Sequence, residues 1–314
     1  MFKLHHVDCP ICHGTSEVHQ RFPAKFGPED MSFTARKTPN ITRFRVVQCT
    51  GCGLVFSTPV PDISTISELY REGDFISEPQ LENMIGDYLD ECSKYMHLCG
   101  RERLLEIGSS SGAFLDRVAD RFNFAEVRGV EPCAKSVEAM PARVRGKVIA
   151  DILRPGQFEP ESFDCIVFFQ VLDHIPDPNN FLSLIRHYLK PNGIAIALHH
   201  NIRAFKSVLL GSRSSTYDVQ HMFLWDKKTM RLILNQNGFS VVDIRSIANR
   251  YQLDYAIRML PLPAKLKEAT RNAVKFLGLS NFTLRVHIEN MVIAFCRDDA
   301  PATSTTQSDA AMTR

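Results

Sequence analysis

The chain has 314 residues, 44% of them apolar and 23% charged, with a formal net charge of +2. That length accommodates one large α/β domain plus a smaller module, and the near-neutral balance excludes a general attraction to nucleic acid or anionic membranes. No apolar run reaches the roughly 18 residues of a membrane span and the N-terminus shows no charged-then-apolar export pattern, so no transmembrane segment and a cytoplasmic location are expected.

The nine cysteines fall into two groups. Cys9 with Cys12 and Cys49 with Cys52 form two Cys-x-x-Cys pairs, while Cys92, Cys99, Cys133, Cys165 and Cys296 are scattered. An odd total without an export pattern argues for reduced thiols and a metal site over a disulfide framework. Residues 1–60 read as a small β-rich module whose two knuckles, Cys9-Pro-Ile-Cys12-His-Gly14 and Cys49-Thr-Gly-Cys52-Gly53, each place a glycine close behind the second thiol. Between them Thr42 to Gln48 alternates as a strand. Four thiolates in two pairs suit a closed, structural Zn2+ held by Cys9, Cys12, Cys49 and Cys52, with no position left for catalysis. In so small a segment the metal is expected to supply most of the folding free energy, about 10–16 kcal/mol in comparable peptides.

Pro59-Val-Pro-Asp62 marks a boundary, and residues 61–100 carry helical spacing through Ile66, Leu69 and Tyr70, then Leu81, Ile85, Tyr88, Leu89 and Met96. Strands and helices alternate over 101–250. Strands are predicted at 103–107, 126–130, 147–150, 163–169, 193–198 and 240–246. Helices are predicted at 112–121, through Met140, at 177–189 and at 227–237. A final strand at 286–296 ends the C-terminal segment 251–297, and residues 298–314, rich in Ala, Ser and Thr, read as a disordered tail. The fold class is α/β, a doubly wound and mostly parallel sheet.

In such a sheet, ligands bind beyond the C-terminal strand ends. After the first strand comes the loop Gly108-Ser109-Ser110-Ser-Gly112, preceded by the acid Glu106. A carboxylate there would repel a dinucleotide pyrophosphate and welcome a positively charged ligand. Glu131 follows the second strand, where a carboxylate can accept hydrogen bonds from ribose hydroxyls. Asp151 and Ile152 follow the third, suited to an adenine amino group and ring face. Gln170-Val-Leu-Asp-His-Ile175 follows the fourth. The ordered set points to a nucleoside-bearing, cationic cofactor. A nicotinamide-dependent oxidoreductase is disfavoured by Glu106 and by the lack of a Gly-x-Gly-x-x-Gly run.

Residues 103–200 resemble a class I S-adenosylmethionine-dependent methyltransferase. Glu106-Ile-Gly108-Ser-Ser-Ser-Gly112 resembles the family's Asp/Glu-x-Gly-x-Gly-x-Gly loop, with Ser110 in place of the middle glycine. Glu131 resembles its ribose acid, Asp151 its adenine-contacting acid, and Leu189-Lys-Pro-Asn-Gly193 the turn before its fifth strand. With the two knuckles, Cys52-Gly-Leu-Val-Phe56, Gln220-His221-Met-Phe-Leu-Trp225 and Asn237-Gly-Phe239, the resemblance narrows to a bacterial subgroup that methylates sugars, polysaccharide precursors or secondary metabolites. It implies a seven-stranded Rossmann-like sheet with a small N-terminal zinc-ribbon module. It also implies S-adenosylmethionine held by Glu106, Gly108, Ser109, Ser110, Gly112, Glu131, Asp151, Ile152 and Gln170.

Transfer to oxygen or carbon requires loss of a proton, for which histidines are natural bases. The order of expectation is His199, then His221, then His174; His199 and His200 end the fifth strand, where one ring could face the pocket. Tyr70 and Phe75 are candidates to cover the cofactor, and Asp173 reads as a turn residue or as orienting a neighbour. Residues 201–225 and 251–282 lie outside the minimal sheet and are expected to shape the acceptor pocket. Leu262, Leu266, Ala269, Ala273 and Leu277 repeat at helical spacing beside Lys265, Lys267, Arg271 and Lys275. That pattern is expected to be a packed helix with a solvated basic face, the alternative being peripheral contact with a membrane bearing a lipid-linked substrate. The leading expectation is a methyltransferase acting on the oxygen or carbon of a small molecule. The alternatives are an RNA methyltransferase gripping nucleic acid through the zinc module, disfavoured by the few cations near the knuckles, and a non-catalytic binding protein.

Overall fold

The computed structural model of the protein describes residues 3–14, 16–26, 42–73, 80–259, 263–280 and 282–298. Its centre is a seven-stranded sheet of β1 (Arg103–Ile107), β2 (Glu126–Val130), β3 (Val148–Ile149), β4 (Phe163–Phe169), β5 (Leu189–His200), β6 (Phe239–Ser246) and β7 (Asn290–Arg297). Across the sheet the order is β6-β7-β5-β4-β1-β2-β3. Pairing is parallel from β5 to β3, and only β7 runs against its neighbours β5 and β6. All seven residues of β4 are buried, as expected of a parallel strand covered on both faces.

Strand period separates two cores. Leu105, Ile107, Ile166, Phe168, Ala195 and Ala197 face one side, where α4 (Pro178–Tyr188) and α5 (Lys227–Gln236) pack. Leu104, Cys165, Val167, Ile194, Ile196 and Leu198 face the other, against α2 (Gln80–Ser93) and α3 (Ala113–Phe122). The helix starts follow local chemistry. Asp177 caps α4 by accepting from Asn180 N at 3.0 Å, with Pro178 in the first turn, and Asp226 and Thr229 close a reciprocal capping box on α5.

The N-terminal segment is built into this body. Val18–Phe22, Val46–Cys49 and Val55–Ser57 form a sheet completed by Phe223–Leu224 from the far side of the chain. Cys9, Cys49, Cys52, Leu54 and Phe56 belong to the same buried cluster as Phe168, Phe181 and Ile293. The apolar run before Trp225 is therefore an edge strand of that small sheet, a long-range pairing that the sequence did not announce. Helix α1 (Ile63–Arg71) then leads from this sheet toward the main one.

Three boundaries differ from expectation by more than two residues. The strand expected at 42–48 is confined to Val46–Cys49, and the one expected at 193–198 extends to Leu189–His200. The run expected as one strand at 286–296 is divided: Thr283–Val286 pairs with Asn249–Gln252 in a separate ribbon, and β7 begins at Asn290. The division lets Glu289, between the two strands, bond Lys206 and Tyr251. Near the C-terminus, Ala264–Phe276 is helical and Arg271 holds Asp254 at 2.8 Å, while Leu266 and Phe276 remain exposed. Leu262, Phe75, residues 27–41 and the expected tail from residue 299 onward lie outside the described residues. Among the described residues, no helix is long and apolar enough to cross a membrane.

Phe56 is fully buried and stacks on Phe223 at 6.1 Å, joining the N-terminal sheet to the main body. Phe56→Ala is expected to cost about 3–5 kcal/mol, read as a lowered urea midpoint of the full chain.

Candidate active site

A cavity of about 510 Å³ opens at the C-terminal ends of the parallel strands, within the usual size of a small-molecule site. Glu106, Gly108, Ser109, Ser110, Glu131, Asp151, Ile152 and Gln170 all line it. The glycine positions have distinct causes. Gly108 has φ +76°, and a Cβ there would lie 2.7 Å from Val171 Cγ2. Gly112 has φ +70°, caps α3 and lies against Met140 and Val144; unlike the rest of the loop it does not line the cavity. Ser110, where the family loop has its middle glycine, also adopts the left-handed region at φ 47°. The loop conformation is thus retained, at the strain cost of a non-glycine residue.

The acids are treated differently by their surroundings. Glu106 is 3% exposed, and its Oε2 has no hydrogen-bond partner among the described residues. Burial, and then the neighbouring Glu131, push its carboxyl well above the ordinary 4.5. Such a group invites a cation, since an unpaired buried carboxylate is costly. Glu131 accepts from Ser110 N at 2.8 Å and Cys133 N at 2.9 Å, which fixes the loop and leaves lone pairs toward the cavity. Burial raises its carboxyl against these two N–H groups.

Asp151 sits differently from expectation. Arg71 of α1 donates to its Oδ1 at 2.8 Å and Arg154 to its Oδ2 at 2.8 Å, and Ile152 N also donates to Oδ1. Its oxygens are thus engaged in strapping α1 to the end of β3, a role the sequence did not announce, while Asp151 keeps its place on the cavity wall. The partner lies 80 positions away in sequence, beyond any local signal.

The histidines divide by strand alternation. His199, the first expectation for a base, is fully buried, packs its ring on Phe168 at 5.6 Å and does not line the cavity. Its successor His200 points the opposite way and does line it, as do His174 and His221. His199 is therefore corrected from base to buried neighbour of Asp173, with Nδ1 3.6 Å from Asp173 Oδ1. His174 Nδ1 lies 2.8 Å from Tyr70 Oη and 2.9 Å from Gln220 O, which directs its Nε2 elsewhere. Lys206, Tyr251, Tyr255, Glu289 and Asn290 complete the far wall. The segments after β5 and before β7 and the first residue of β7 supply them; the sequence pointed to the segments 201–225 and 251–282 but not to Glu289 or Asn290.

In the N-terminal sheet, Cys9 Sγ lies 3.5 Å from Cys52 Sγ, and Cys49 Sγ lies 3.7 Å from Cys12 Sγ. One donor from each of the four comes within 4.8 Å of all the others.

The family described as "Methyltransferase domain" matches residues 76–244, more than half of the chain. The chain therefore belongs to that family. A ubiquinone biosynthesis O-methyltransferase of Neisseria meningitidis serogroup A is 27% identical over 131 residues, 40% of this chain and 53% of that protein. Methyltransferase str3 of Strobilurus tenacellus is 32% identical over 111 residues, 35% of this chain and 40% of that one. The chain thus spans about half the length of these curated relatives, or less. A SAM-dependent methyltransferase structure from Archaeoglobus fulgidus, 17% identical, aligns with a TM-score of 0.46 over 74% of this chain and 100% of that one.

Because Glu106 titrates higher in the folded chain than in the unfolded one, its stabilising contribution is full below the unfolded value and is lost as pH rises through the raised folded value. Glu106→Gln cannot ionise and is expected to flatten that loss. The check is the urea unfolding free energy of ligand-free wild type and variant across about pH 5–8; parallel curves would refute the assignment.

Proposed function

We propose that the chain moves a methyl group from S-adenosylmethionine to a hydroxyl oxygen of a small-molecule acceptor, of the sugar, polysaccharide-precursor or secondary-metabolite kind. The observation that carries this reading is the cavity itself. It is lined by a buried carboxylate, Glu106, whose Oε2 has no hydrogen-bond partner among the described residues, and by three histidines, His174, His200 and His221. When bound, S-adenosylmethionine supplies a methyl group activated by a sulfonium. Glu106 fits its ammonium, Glu131 the ribose hydroxyls, Ile152 the adenine face, and the Gly108–Gly112 loop the amino-acid portion, with Ser109, Ser110 and Gln170 along the wall. Tyr70 on α1 and Tyr88 on α2 roof the cavity and exclude water. Holding the acceptor oxygen in line can itself lower the barrier by about 7–11 kcal/mol.

His174 is the ring we assign to the acceptor proton. It follows β4 directly, beside the cofactor loop, and oxygens of Tyr70 and Gln220 at Nδ1 fix the tautomer that leaves Nε2 as a base. The order expected from sequence is thereby reversed. His174→Gln is expected to lower kcat by about 10²–10⁴-fold with unchanged affinity for S-adenosylmethionine. The assay is mass-spectrometric detection of methyl gain on a panel of sugar and phenolic alcohols. Unaltered kcat in the variant would remove His174 from the mechanism, and methylation of RNA in place of small alcohols would overturn the acceptor class.

Cys9, Cys12, Cys49 and Cys52 are proposed to hold a structural Zn2+. Their two close pairs approach the roughly 3.8 Å sulfur spacing that tetrahedral Zn–S bonds of about 2.3 Å impose. Burial pushes the Cys9 thiol up to about 11, so a bound cation is what keeps such a site ionised at neutral pH. Since three of these cysteines share the core of the main sheet, stripping the metal with a strong chelator is expected to lower the Tm of the whole chain in one transition. A separate low-temperature transition would contradict this coupling.

A further inference from the structure

We propose that Asp173, His200 and His221 bind one divalent first-row transition-metal cation at the acceptor end of the cavity, separate from the four-cysteine site. One donor atom from each of the three lies within 4.8 Å of the others. This inference deepens the reading above and rests on it for the acceptor, since His200 and His221 line the same cavity.

The tautomers are set from outside the cluster. His200 Nδ1 lies 2.9 Å from Asn290 Oδ1. Asn290 cannot present its amide nitrogen there, because its Nδ2 donates to Asn249 Oδ1 at 2.8 Å while its Oδ1 also accepts from Gln170 Nε2 at 3.2 Å. His221 Nδ1 lies 2.9 Å from the carbonyl oxygen of Thr216. An oxygen acceptor at Nδ1 requires hydrogen on that nitrogen, so both rings present an Nε2 lone pair. This outer ring of oxygen acceptors is the arrangement that orients imidazoles toward a metal.

Asp173 supplies the independent observation. Its side chain is 4% exposed, and neither carboxylate oxygen has a hydrogen-bond partner among the described residues. Oδ2 lies 3.8 Å from His221 Nε2, and Oδ1 lies 3.6 Å from His199 Nδ1 and 3.8 Å from His174 Nε2. A buried carboxylate facing imidazole lone pairs is unsatisfied unless a cation stands between them. The 3.8 Å gap is within several tenths of an ångström of the about 3.0–3.4 Å between neighbouring donors on one cation.

Two imidazoles and one carboxylate form a donor set suited to Zn2+, Fe2+, Co2+ or Mn2+ that leaves coordination positions open. Those positions are reached from the cavity, through His200 and His221. The acceptor class this favours carries two adjacent oxygens, such as a vicinal diol or catechol, able to meet one cation with both.

The test is Co2+ titration of the full chain with its cysteine site already filled with Zn2+. Wild type is expected to bind one further equivalent, with ligand-field absorption but no thiolate-to-cobalt charge transfer. The His200→Gln, His221→Gln double variant is expected to lose that equivalent while keeping its zinc and an S-adenosylhomocysteine affinity within about threefold of wild type. Asp173→Asn is expected to weaken Co2+ by about tenfold or more. Normal S-adenosylhomocysteine binding with no further Co2+ in wild type would overturn the metal site, as would an equivalent that persists in the double variant. A further equivalent lost in that variant, in a wild type that binds no S-adenosylhomocysteine, would support the metal site and sink the methyltransferase reading on which its acceptor rests.

Discussion

Parallel pairing of β1 between β4 and β2 is the constraint from which the site follows. It aligns the C-terminal ends of neighbouring strands along one edge, so residues far apart in sequence emerge beside one another. Glu106 belongs to β1, Glu131 follows β2, Ile152 follows β3 and Gln170 follows β4. A parallel strand must be covered on both faces, which makes the strands apolar and forces polar chemistry to their ends. The cavity is therefore a consequence of the topology.

Charge then differentiates that edge. Glu106 is buried close enough to Glu131 to feel its charge and keeps an Oε2 with no hydrogen-bond partner among the described residues, whereas Glu131 accepts from Ser110 N and Cys133 N. Asp151 is neutralised by arginines and acts as a strap for α1. The second acid thus shapes the loop, and the third holds α1. Asp173 is set differently, among His174, His199 and His221 at 3.6–3.8 Å, with neither oxygen hydrogen-bonded among the described residues.

The zinc-type knuckles are more than an appendage. Phe56 stacks on Phe223, and the strand Phe223–Leu224 pairs with Val55–Ser57, so the segment just after His221 is carried by the N-terminal sheet. That sheet thereby carries the segment that brings His221 to the cavity wall. In the sequence, Phe223 and Leu224 lie within the segment 201–225 expected to shape the acceptor pocket. Their pairing with a strand more than 160 positions earlier had no local signature. The same holds for Arg71 and Asp151, and for Asn290 and His200, whose pairing depends on which strands become neighbours.

The sequence by itself determined the elements with strong periodicity and the residues set by local geometry. Strands β1, β2 and β4 fall where their apolar runs predict, because burial on both faces demands such runs. The knuckle cysteines and the loop from Gly108 to Gly112 are legible because spacing and left-handed backbone positions are local properties. Tertiary structure decided the rest. The last strand broke at Glu289 because Lys206 and Tyr251 hold that acid, and His199 exchanged places with His200 because the register of β5 chooses which ring faces the cavity. Strand register is a one-residue choice made by neighbouring strands, and a single chain read in order does not contain its neighbours.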